Sequence, residues 1–65
     1  MSGKVQDHYT HDEFEEILDD AEMNAANDWE EEFVSDIKLK FKQYGIRMFI
    51  SERQIEIIER IANGE

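Results

Sequence analysis

Three stretches of the chain carry apolar residues at helical spacing. Phe14, Ile17, Leu18, Ala21 and Ala25 recur at i, i+3, i+4, i+7 and i+11, which at about 100° per residue gathers them into one narrow arc and predicts a helix over 11–25. Trp29, Phe33, Val34, Ile37, Phe41 and Tyr44 form a broader apolar face and predict a second helix over 29–44. Ile55, Ile58, Ile61 and Ala62 predict a third over 52–62. Each stretch opens on a start signal. Thr10-His11-Asp12-Glu13 has the form of a capping box, with Tyr9 and Phe14 placed as a hydrophobic staple across it. Asp28-Trp29-Glu30-Glu31 repeats the capping logic, and Ser51-Glu52-Arg53-Gln54 is a third box, stapled by Ile50 and Ile55. Gly45 stops the second helix in the C′ position, and Asn63-Gly64 ends the third.

Start signals and apolar faces that agree at all three places define an all-α fold, a small three-helix domain occupying residues 1–65 with a short N-terminal extension. Residues 4–9 show some alternation and 46–50 are apolar, so these segments are candidates for a minor two-stranded pairing, which at that size needs the helices to cover it.

Composition narrows the class. A chain of 65 residues buries only about 60% of the surface it exposes when unfolded, which leaves little room for a deep substrate pocket. Without cysteine there is no disulfide framework and no thiolate metal site. No run of 18 apolar residues and no basic-then-apolar leader is present, so the expectation is a cytoplasmic protein with neither membrane span nor signal peptide. The 17 Asp and Glu residues outnumber 7 Lys and Arg, for a formal charge of -10. That balance repels phosphate and anionic lipid, so direct contact with nucleic acid or membrane is not expected, and the partners should be basic.

The charge is unevenly placed. Between Val5 and Ile37 there are 13 carboxylates and no Lys or Arg, whereas 38–65 carries six basic residues against four acidic ones. Opposite its apolar arc, the first helix places Asp12, Glu13, Glu15, Glu16, Asp19, Asp20 and Glu22, and none has a Lys or Arg at i+3 or i+4. Seven like-charge pairs arise at those spacings (12/15, 13/16, 16/19, 19/22, 12/16, 15/19 and 16/20). At about 0.2–0.5 kcal/mol each they disfavour the helix by roughly 1.5–3.5 kcal/mol at low salt. A solvated face that keeps a small protein dispersed explains such a helix in structural terms. The functional reading is recognition of a basic surface, since carboxylates about 5–6 Å apart are spaced on a scale similar to the phosphates of a nucleic-acid strand. Glu30, Glu31 and Glu32 extend this field at the start of the second helix, where they also suit its positive end. Met23 lies inside the charged arc and supplies an apolar contact there.

Other motifs are weaker. Asp20, Glu22, Asn24, Ala26, Asp28 and Glu31 match the spacing of a calcium loop, but the required glycine is Ala25 and the usual aliphatic is Asn27, so a capped interhelical turn explains more of the residues. His8 and His11 lack the spacing of a metal or catalytic pair. No Gly-rich phosphate loop or nucleophile motif exists, which argues against an enzyme and against any cofactor. A helix-turn-helix reading of the second and third helices, with Lys38, Lys42, Arg53 and Arg60 on phosphate, fails on the long connection from Tyr44 to Ser51.

The segment Trp29-x-x-x-Phe33-Val34 followed by Ile50-Ser51-x-Arg53-Gln54-x-x-Ile57-Ile58-x-Arg60-Ile61 resembles a short pattern in proteins encoded by bacteriophages and other mobile elements. The profile of a small, cysteine-free helical protein with a dense acidic face is similar to phage-encoded inhibitors that mimic nucleic acid, of the anti-CRISPR and anti-restriction type. The likeness is one of profile and carries no family residue over. It implies a non-catalytic inhibitor in the host cytoplasm that binds a basic nucleic-acid-binding protein or complex; the charge pattern, and not the likeness, supplies the contacting residues from Asp12 to Met23 and Glu30 to Glu32 just named. The alternative is a small structural adaptor or oligomerising protein of a phage replication or assembly complex, using Leu39, Met48 and Phe49.

Overall fold

The computed structural model describes residues 2–64; Glu65, counted above in the charge of the C-terminal part, lies outside them. The chain runs through strand β1 (Ser2–Lys4), a 3₁₀ turn (Val5–Asp7), helix α1 (His11–Asn24), helix α2 (Asp28–Tyr44), a second 3₁₀ turn (Gly45–Arg47), strand β2 (Phe49–Ser51) and helix α3 (Glu52–Ala62). It is a small, mostly helical three-helix domain with a minor antiparallel strand pair.

The helix starts follow from local chemistry. The Thr10 hydroxyl accepts the Glu13 amide and the Glu13 carboxylate accepts the Thr10 amide, at 3.2 and 2.9 Å. The Tyr9 and Phe14 rings lie 5.5 Å apart across this box, completing the staple. At α3, Ser51 and Gln54 make the same reciprocal pair. At α2 the cap is Asn27, not Asp28: the Asn27 carbonyl oxygen of the side chain accepts the Glu30 amide at 2.9 Å, so the helix begins one residue earlier than its apolar face indicates. Helix α1 correspondingly ends at Asn24, because Ala25 leaves helical geometry to enter the three-residue turn. Gly45 terminates α2 at φ +62°, a left-handed conformation that a Cβ disfavours.

The expected minor strand pairing forms, but between segments shifted a few residues outward from 4–9 and 46–50. Ser2, Gly3 and Lys4 face Ser51, Ile50 and Phe49, while Val5–Asp7 and Gly45–Arg47 are 3₁₀ turns and not strand. One further bond, from the Val5 amide to the Met48 carbonyl at 3.1 Å, prolongs the ribbon as the chain turns inward.

The core comprises Val5, Phe14, Leu18, Ala21, Val34, Ile37, Phe41, Met48, Ile50, Ile58 and Ile61, and no polar residue is buried among the described residues. Helix α1 is central. It packs against both α3 and α2, and α2 and α3 form no comparable contact with each other. Phe14 meets Phe41 edge-on at 5.0 Å, joining α1 to α2, and the Asn24 side-chain amide donates to the Ala62 carbonyl at 2.8 Å, tying the ends of α1 and α3. Tyr9 donates its hydroxyl proton to Glu59, joining the residue before the α1 cap to the C-terminal half of α3. Two expected core positions are instead on the surface. Trp29 and Tyr44 are 59% and 61% exposed, because the α2 face is wider than the surface α1 offers, and its outer edge finds nothing to cover it.

Candidate functional site

Every carboxylate expected on the first helix is on its surface. With Phe14, Leu18 and Ala21 facing the core, helical periodicity sets Asp12, Glu16 and Met23 about half a turn away, with Asp19 and Asp20 on either side. Met23 is 84% exposed in the middle of this arc. Glu16 and Asp20 have no cation within ion-pair distance among the described residues.

The flank of α1 that faces α2 is different. Helix α2 turns back across α1, so that the His11 ring lies tilted against Phe41 with centroids 4.9 Å apart, and the Lys38 ammonium reaches Asp19 Oδ1 at 3.3 Å and Glu22 Oε1 at 3.2 Å. The face that lacks local compensation in the sequence therefore receives one cation from 16 and 19 residues away. The Glu22 hydrogen bond, opposed by burial and assisted by the Asp19 hydrogen bond, raises the Lys38 pKa above its ordinary value. His11 Nδ1 stands 3.8 Å from Asp12 and 4.0 Å from Glu15. Between the helices lies an open groove of about 620 Å³, with Glu15, Asp19 and Glu22 on one wall, Lys38 and Lys42 on the other, and Leu18 and Phe41 along its base. Its lining carries both charge signs and an apolar strip.

Two acidic candidates serve the backbone. Glu13 belongs to the α1 capping box, and the Glu30 carboxylate accepts the Ala26 amide at 2.8 Å and is partly buried. Consecutive helical residues diverge by about 100°, so Glu30, Glu31 and Glu32 do not present a single face; Glu31 and Glu32 remain exposed on different sides of α2. The calcium-loop reading of 20–31 is not supported by the backbone, since Asp20, Glu22 and Asn24 are all within α1 and only residues 25–27 leave the helices. Among the described residues no cluster of three His, Asp or Glu is arranged to hold a metal ion, and no helix is long and apolar enough to cross a membrane.

In the sequence Lys38 reads only as one of four basic residues, with Lys42, Arg53 and Arg60, able to moderate the acidic field, and its pairing with Asp19 and Glu22 is not foreseen. The nearest signal was its position as the first basic residue after a long acidic stretch, following a short interhelical turn; its contacts depend on how α2 crosses α1. Comparison with known proteins found no matching family model, no matching curated protein and no matching solved structure.

Proposed function

We propose that the protein is a non-catalytic inhibitor that occupies a basic nucleic-acid-binding surface of a partner protein, in the phage anti-defence setting that its profile resembles. The observation that carries this reading is the row Asp12, Glu16 and Asp20. These residues stand at i, i+4 and i+8 on the exposed face of the central helix, and the last two have no cation beside them among the described residues. Four residues of helix rise about 6 Å, so the row repeats negative charge on a scale comparable with a phosphate backbone. Contacts to α2 and α3 hold the row in place, which reduces the ordering cost of binding. Lys38 relieves the 19/22 repulsion on the flank and leaves the outward row charged. A cationic partner surface recovers the remaining repulsion and accelerates association through long-range attraction. Met23 adds an apolar contact at the centre.

The test replaces Asp12, Glu16 and Asp20 by Lys, none of which caps a helix or pairs with Lys38. Wild-type protein immobilised on a resin should retain a basic protein from host extract that duplex DNA releases, and the triple variant should retain none while keeping its helical circular dichroism. Equal retention by the variant, or retention indifferent to DNA, overturns the reading. The adaptor alternative keeps Leu39 and Phe49, 63% and 72% exposed, but Met48 is buried and cannot serve it.

A further inference from the structure

Helix α2 carries a second surface on the side away from α1. Trp29 is half a turn round the helix from Lys38, the residue that reaches α1. Trp29, Phe33, Asp36, Lys40 and Gln43 follow one another at steps of four, three, four and three residues, the spacing of a helix-pairing seam. Trp29 stacks on Phe33 at 5.4 Å with the rings 22° apart, yet it is 59% exposed. Tyr44 closes the far end of the stripe and is 61% exposed.

The charges along this stripe are ordered. Glu32 and Asp36 lie toward the Trp29 end, and Lys40 lies toward the Tyr44 end, where Arg47 joins it around a shallow groove beside Phe49. Asp36 and Lys40 are at i,i+4 spacing, but neither forms an ion pair among the described residues. The stripe is thus close to neutral in a chain of charge -10, acidic at one end and basic at the other, with aromatic side chains at both ends. A surface ordered in this way complements itself when turned end for end.

We propose that this face pairs with a second copy of the chain, in a twofold dimer built on antiparallel α2 helices. An axis level with residue 38 sets Asp36 of each copy opposite Lys40 of the other, twice by symmetry. It also brings the Trp29–Phe33 pair over the Tyr44 end of the second copy, where Lys40 and Arg47 offer cations to the rings. The acidic outward rows of the two α1 helices then lie on the far sides of the dimer, where their mutual repulsion is screened beyond about 8 Å at physiological salt. The molecule measures 28 × 22 × 17 Å, so even its whole broad face is about 600 Å² and the α2 stripe covers less, at or below the lower limit for a specific interface. The dimer is accordingly expected to be weak and readily reversible.

Trp29 is the sole tryptophan, so its emission reports on this face alone. Between about 1 µM and 1 mM protein, sedimentation should show the mass doubling, accompanied by a blue shift of Trp29 emission. Asp36→Lys and Lys40→Asp, both at exposed positions, should each remain monomeric at concentrations where the wild type is dimeric. An equimolar mixture of the two should regain the doubled mass and the blue shift, because each charge then finds its opposite. A wild type that stays monomeric at 1 mM with unchanged emission overturns the proposal and leaves the stripe to a different partner. Single variants that dimerise as wild type does, or a mixture that fails to recover, overturn the antiparallel pairing.

Discussion

Lys38 provides a direct test of how the fold tolerates its acidic helix. Lys38→Met keeps most of the apolar stem and removes the ammonium that lies 3.3 Å from Asp19 and 3.2 Å from Glu22. Both carboxylates are more than half exposed and Lys38 is one-third exposed, so each ion pair is worth about 0.2–1 kcal/mol, well short of a buried pair. Removing the cation also restores the 19/22 repulsion in full, at about 0.2–0.5 kcal/mol. The expected loss is therefore about 0.6–2.5 kcal/mol. In a domain of this size, at about 7 °C per kcal/mol, it lowers the melting temperature by roughly 4–18 °C. Thermal melting followed by circular dichroism at low salt and at about 1 M salt separates the causes, since the Debye length falls to about 3 Å in the latter. The wild type should melt higher in salt as the α1 carboxylates cease to repel, and the gap to Lys38→Met should narrow to less than half. A gap of the same size at both salts would show that Lys38 acts by covering apolar surface, and a variant as stable as wild type at low salt would refute the ion-pair account outright.

Two further outcomes follow from particular contacts. The Tyr9 phenol is pushed above its ordinary value near 10, first by burial and then by its hydrogen bond to Glu59. The protonated phenol belongs to the folded state, so its contribution is complete below about pH 10, where the unfolded phenol also keeps its proton, and is lost as pH rises through and beyond that value. Urea unfolding across pH 8–11 should show a steeper alkaline loss for wild type than for Tyr9→Phe, with Lys38 supplying the part that persists; parallel curves would remove Tyr9 as a cause. Ser51→Ala should cost about 1 kcal/mol by stripping the α3 cap from the Gln54 amide, whereas Ser51→Asp should retain most of the stability; equal losses in the two would mean that the half-buried site, and not the cap, sets the cost.

The accuracy of the helix assignments has a local origin. Caps, staples and a 3.6-residue period involve residues at most a few positions apart, so Thr10 with Glu13, Ser51 with Gln54 and the Phe14–Leu18–Ala21 face are legible before any tertiary contact is known. The one-residue error at α2 is local as well: Asn27 and Asp28 are both good caps, and the chain uses the one that also lets Glu30 reach back to the Ala26 amide. Strand register was less legible, because three-residue strands carry too few alternations to specify their partners. The burial of Val5, Met48 and Ile50 against the helices selected it.

What the sequence determined by itself was thus three helices, their approximate ends, and a helix α1 whose outward side is acidic. Tertiary structure decided the surroundings of those charges and the fate of the widest apolar face. Only the crossing of α2 over α1 could place Lys38 between Asp19 and Glu22, turning a uniformly repulsive face into a tethered flank and a free row. Only the limited width of α1 could leave Trp29 and Tyr44 outside the core. Both results depend on distances between residues far apart in the chain, which are set when helices pack and are not encoded in the periodicity of any one of them.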